Sequence, residues 1–142
     1  MSVRHPVVGS WRVSVEVPGA GPGLVNLARL SLDGGVVVAF PSPTTAPAGA
    51  NHRLEFWTPA LGSWTPTGDR TATMIFVALG SDENGAPIGT HTVTASVTAG
   101  AGAESWQGPF TIAVAGPDGK TQGTVSGTVT ATPITADVSP AS

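Results

Sequence analysis

The sequence predicts an all-β fold, an eight-stranded antiparallel up-and-down barrel, with a β-sandwich as the alternative. Three observations carry this. Apolar and polar residues alternate with a period of two along most of the chain. No segment of useful length shows a helical period. Nineteen glycines and thirteen prolines in 142 residues cut the alternating runs into hairpin-sized pieces. This length suits one domain with one core. The barrel domain is expected over residues 1–133, with a tail over 134–142 that frays.

The first strand spans about residues 7–17, "VVGSWRVSVEV", where Arg12, Ser14 and Glu16 alternate with apolar residues. Strands at about 24–32 and 35–41 are joined by the turn Asp33-Gly34-Gly35. A long connection, 42–60, follows. Within it "NHRLEFWT" (51–58) has the pattern of a ninth strand. It is assigned to the connection because an antiparallel meander closes without a parallel seam only when its strand number is even. Strands at about 61–66 and 70–80 flank Thr67-Gly68-Asp69, and those at 87–99, 104–115 and 120–132 complete the eight. "THTVTASVT" (90–98) turns Thr and Ser outward and His91, Val93, Ala95 and Val97 inward. "TVSGTVTAT" (124–132) likewise turns Val125, Gly127, Val129 and Ala131 inward.

This order sorts the connections by end. Short ones at 33–35, 67–69 and 99–103 close one end. Those at 18–23, 42–60, 81–86 and 116–119 surround the other, so the barrel is a cup. Its inward faces hold Ala28, Ala72, Ala78, Ala95, Gly108, Gly127 and Ala131 beside Met74, Phe76 and Phe110. So many small residues predict room for one small ligand. Trp11 and Trp106 fall toward the closed end and plug it.

Composition excludes several functions. Charged residues are only 11 % of the chain, against roughly 25 % in an average protein. With a net charge of −3 and a single lysine, Lys120, the chain has no basic patch for nucleic acid. The absence of cysteine removes disulfides and thiolate chemistry. No apolar run is long enough for a membrane helix, and a cytoplasmic location is expected. "GSDENGAP" (80–87) lacks the ligand spacing of a calcium loop. Neither a zinc motif, a nucleophile elbow nor a phosphate-binding glycine loop occurs, so no metal or cofactor is expected.

His91 is the candidate catalytic residue, since it is the one ionisable side chain on the apolar face of "THTVTASVT" and imidazole titrates near neutrality. Its competing role is that of a half-buried histidine bonded to a backbone carbonyl or a rim residue. His52, Arg53, Glu55 and Trp57 crowd the long connection, either as ligand contacts at the mouth or as an exposed hairpin with alternating charges. Asn26 near the mouth is a candidate hydrogen-bonding group, or ordinary strand-end turn chemistry. Phe40, Met74, Phe76 and Ala95 complete the candidate ligand-binding set.

Gly9-Ser10-Trp11 on a first strand, followed by a meander of alternating strands, resembles the lipocalin-like (calycin) barrels. The resemblance implies a cavity for a small, mostly apolar molecule. In that superfamily a basic residue late in the barrel commonly packs over the Trp. Here the last strand ends "TATPIT", without Arg or Lys, so that contact is missing or replaced. Related small barrels of bacterial secondary metabolism, the spirotetronate cyclases and allene-oxide-cyclase-like proteins, fold a polyene or polyketide in a similar cup. Two functions follow: a carrier of an apolar molecule, and a cofactor-free cyclase or isomerase acting in the same cavity. A haem barrel with His91 as axial ligand, similar in principle to nitrobindin, is a third. A dimer is compatible with all three.

Overall fold

In the computed structural model, described for residues 4–19, 23–41, 44–45, 54–102 and 104–136, all regular structure is β. The strands are β1 (Gly9–Glu16), β2 (Leu24–Leu30), β3 (Gly35–Ala39), β4 (Thr44–Thr45), β5 (Leu54–Trp57), β6 (Ala60–Pro66), β7 (Thr71–Asp82), β8 (Pro87–Ala99), β9 (Trp106–Ala115) and β10 (Thr121–Pro133). Eight of them close a ring in the order β7-β6-β3-β2-β1-β10-β9-β8, with β8 returning to β7. Every pairing is antiparallel. The predicted barrel, its even strand number and its strand positions are therefore present. Closure leaves the ring without an edge strand.

The long connection is corrected. Residues 54–57 form a strand, but not a ninth stave. β5 pairs with β7 through Glu55↔Asp82, Phe56↔Ser81 and Trp57↔Gly80, and β6 pairs with the same edge of β7 from Leu61↔Val77 onward. The two form one line broken at Pro59, which has no N–H to donate. β4 pairs with β5 and lies beyond β3 in the same manner. β3–β4 and β5–β6 are thus the arms of one long hairpin rising above the mouth. The physical reason is that β7 runs 12 residues against 7 for β6. Its last backbone groups would otherwise stand unpaired. β10 runs to Pro133, the expected end of the barrel, and the Ile134 N–H donates to the Ser10 carbonyl at 2.9 Å; residues 137–142 lie outside the described residues.

The closed end is built around three tryptophans. Trp11, Trp64 and Trp106 are all buried, and the Trp11 and Trp106 rings meet edge to face at 5.7 Å. Trp106 thus supplies the packing partner that the resemblance assigns to a basic residue. Gly9 begins β1 at φ 144°, a conformation that side-chain-bearing residues rarely adopt. The Trp11 indole donates to the Val7 carbonyl at 2.9 Å, and Val7 is fully buried beneath it. The N-terminal segment is pinned across this end by His5. Its Nε2 lies 3.0 Å from the Gly68 carbonyl and 3.1 Å from that of Thr71, and the Val7 N–H donates to its Nδ1 at 3.3 Å. The Nε2–H tautomer satisfies this pattern. His5 also packs on Trp64, whose indole donates to the Ser31 carbonyl at 2.7 Å.

Truncating the floor should unsettle the whole ring. Trp11→Ala is expected to cost about 3–5 kcal/mol, the usual range for Trp in a core. The denaturant midpoint should fall with little change in slope, and an unmoved midpoint would show that Trp11 does not support the floor.

Candidate functional site

Above the tryptophans the bore narrows to a cavity of about 70 Å³. Five of the predicted ligand contacts line it: Asn26, Phe40, Met74, Phe76 and Ala95. Trp106 and Phe110 also line it, with Ile112 toward the mouth. Strand alternation explains the set. Met74 faces Ala95 and Ala95 faces Phe110 across β7, β8 and β9, so a small residue sits between two large ones. Among the described residues none of the cavity lining is charged, and Asn26 carries the one side-chain amide.

The other predicted contacts gather one storey higher. Glu55, Trp57 and His91 line a recess of about 300 Å³ at the mouth, with Ile88, Gln122 and Val125. Ile112 lines both spaces. Val125 stands on the inward face as expected, but at this height it is 38 % exposed. His52 and Arg53 lie outside the described residues.

Among the described residues His91 has no hydrogen bond to the backbone, and a rim residue covers it instead. Its ring stacks on Trp57, with centroids 3.8 Å apart and planes 24° from parallel. Trp57 in turn donates its indole N–H to a Glu55 carboxylate oxygen at 3.3 Å. β5 carries both residues inward because Trp57 pairs with Gly80. A Cβ at Gly80 would stand 2.7–2.8 Å from the Trp57 ring, so the ring lies where only glycine leaves space. Burial under this ring disfavours the imidazolium and lowers the His91 pKa from its ordinary 6.5, while the Glu55 carboxylate pulls it partly back. At neutral pH the imidazole is therefore mainly uncharged and able to accept a proton or a hydrogen bond.

Other charged groups serve turns. Asp82 ends β7, and its Oδ1 accepts the N–H groups of Asn84 and Ala86, each at 2.9 Å. That carboxylate organises the hairpin of "GSDENGAP". Among the described residues no three His, Cys, Asp or Glu side chains gather as metal ligands, and no helix is long and apolar enough to cross a membrane.

Sequence reasoning missed the Trp57–His91 stack and the His5–Trp64 pair. Both depend on register between distant segments. The available signal was the inward parity of Glu55 and Trp57 opposite a glycine, which the assignment of 42–60 to a connection hid. No protein-family model, curated protein or solved structure matches the chain.

The stack makes stability depend on pH. A histidine whose folded pKa is lowered binds protons more readily in the unfolded chain. Stability should be complete above pH 6.5 and fall as pH drops through that value toward the lowered folded one. Trp57→Ala removes the cover, so the His91 titration, followed by NMR of its ring protons, should move up toward 6.5. An unchanged titration would show that Trp57 does not desolvate the imidazole.

Proposed function

We propose that the protein is a lipocalin-like barrel that binds a small, mostly apolar molecule in its central cavity. The observation carrying this reading is the lining: an uncharged, aliphatic and aromatic wall with one amide, beside a mouth recess that shares Ile112 and adds the polar groups of Glu55, His91 and Gln122. Burial of apolar surface supplies the affinity, at roughly 25 cal/mol per Å², and the few polar groups orient the ligand. The inner cavity of about 70 Å³ is smaller than the roughly 150 Å³ of an engineered cavity that accepts benzene. It holds the leading end of a ligand whose body lies in the mouth recess. Met74, unbranched and adaptable, is the wall residue best suited to yield further room.

A second reading is favoured by the position of His91. A neutral imidazole at the junction of recess and cavity suits a cofactor-free cyclase or isomerase, which would hold a flexible polyketide- or polyene-like substrate in a reactive fold and move one proton. Secondary metabolism is the natural setting for such a substrate.

Native mass spectrometry of the purified protein is expected to detect a retained apolar molecule, and the parent should bind the fluorescent probe 1-aminoanthracene. Ala95→Phe should abolish probe binding, since the new ring enters the cavity. If the space is instead too tight for it, overpacking should cost about 1–3 kcal/mol. A parent that retains no molecule and takes up no probe would sink the reading. For the catalytic version, His91→Gln should lower turnover of a polyene substrate by about 10²–10⁴-fold while leaving probe affinity nearly unchanged.

A further inference from the structure

Four tryptophans carry four indole N–H donors. Three have acceptors: Val7 O for Trp11, Ser31 O for Trp64, and Glu55 for Trp57. The fourth, Trp106 Nε1, is buried and has no partner among the described residues. Trp106 is only 2 % exposed and lines the central cavity. Buried donors are almost always paired, and an indole can only donate. The pairings Asn26↔Val13, Val13↔Ala131 and Ala131↔Trp106 place Asn26 in the same cross-strand row. Asn26 and Trp106 are the two lining residues whose side chains carry hydrogen-bonding groups.

We infer that the molecule bound in this cavity carries a neutral acceptor oxygen, a ketone, ester or hydroxyl, at the end that enters first, and that Trp106 Nε1 donates to it. This rests on the binding reading above. A pure hydrocarbon would leave the donor unpaired, and a carboxylate would find no cation in the lining.

The test pairs 2-heptanone with n-heptane on protein carrying ¹⁵N-labelled tryptophan, with the Trp106 signal assigned through Trp106→Phe. The ketone should move the Trp106 indole proton downfield and bind several-fold tighter than the alkane. In Trp106→Phe the two should bind alike. Equal binding to the parent with an unmoved Trp106 signal overturns the inference and leaves the cavity reading intact. Such a result would mean that the Trp11 ring face or a bound water holds the proton. If neither probe enters, the cavity reading fails and takes this inference with it.

A separate observation concerns the outside of the barrel. The outer faces of β8 and β10 carry Thr92, Thr94, Ser96 and Thr98, and Thr124, Ser126, Thr128 and Thr130. The opposite wall is aliphatic. Val37 faces Leu61, and Leu61 faces Val77, in one outward row across β3, β6 and β7. Leu27, Ile75 and Leu79 extend it. Exposure along this wall runs from 39 % at Val77 to 64 % at Leu61. Its area, on the order of 500–600 Å², is at the upper limit for a monomer's largest apolar patch. With its Ser and Thr border it approaches the roughly 800 Å² that each partner gives a standard interface.

We propose that this wall packs against the same wall of a second copy of the chain. Two exposed cations border the wall on one side: Arg12, opposite Leu27 on β1, and Arg29, opposite Val37 on β2, whose Nη1 donates to Ser10 Oγ at 3.0 Å. Among the described residues the centre of the wall, Leu61 with Val77 and Ile75, carries no charge, and two sheet faces stack about 10 Å apart with closely aligned strands. Sedimentation of the parent should give a dimer. Leu61→Glu should give a folded monomer, because Leu61 is 64 % exposed, and its melting temperature should no longer rise with protein concentration as the parent's does. A monomeric parent at about 100 µM, a dimer that survives Leu61→Glu, or a monomer that cosediments with phosphatidylcholine vesicles would each overturn the proposal.

Discussion

The bore of an eight-stranded barrel is fixed by its strand number and stagger, so the inward side chains must share a set volume. Every other feature of this protein follows from how that volume is divided. Three indoles occupy the closed end. They fit because Ala72, Ala99 and Ala131 are buried around them, with Ala131 and Ala99 directly opposite Trp106 on its two neighbouring strands. Gly127 plays the same part for Phe110 higher up, where an added Cβ would stand 2.9–3.0 Å from the ring. Ala28, opposite Trp11, and Ala95, between Met74 and Phe110, are the small residues that leave the cavity. Its position is thus the remainder of a packing problem, solved by placing the bulk low and the small residues in the middle.

That division was largely legible in the sequence. Alternation set which residues face inward, and the hairpin turns set which end each occupies, so Trp11 and Trp106 were legible as a floor before any coordinates. The same reasoning placed Asn26, Phe40, Met74, Phe76 and Ala95 inside. What alternation cannot carry is the pairing of segments far apart in the chain. His5 meets the carbonyls of Gly68 and Thr71, more than sixty residues away, and nothing local to His5 announces it. Trp57 was recognisable as a mouth residue, but its stack on His91 needs β5 to lie along β7. The even strand number hid that pairing, because it left 51–58 no place among the staves, and β5 instead extends the line of β6 across Pro59. The proline interrupts the hydrogen bonding while the line of the chain continues.

The electrostatics repeat the division into storeys. Among the described residues, charged groups adjoin the mouth recess and are absent from the cavity lining. An ionised group in the cavity would be desolvated without a partner, at a cost no small barrel recovers. At the mouth the balance differs, since Glu55 accepts the Trp57 indole and also favours a charged His91. Burial under the indole outweighs that carboxylate, so the imidazole stays basic enough to accept a proton yet mainly neutral at pH 7.

On the proposed binding function, this arrangement bears on whether the barrel would carry or convert a ligand. One face of His91 is covered by Trp57, so the ring nitrogens reach a bound molecule only from its edge. The geometry favours a group lying at the junction near Ile112, between cavity and recess. A carrier needs nothing more there than a hydrogen bond. A catalyst needs the reacting atom held at the same junction, which requires the deep end of the substrate to be fixed in register. The floor supplies such an anchor only through directional contacts, because apolar walls leave a ligand free to slide along the bore. Orientation of the inner end by Trp106 and proton transfer at the outer end by His91 would therefore be linked requirements of the enzyme reading. The carrier reading needs neither.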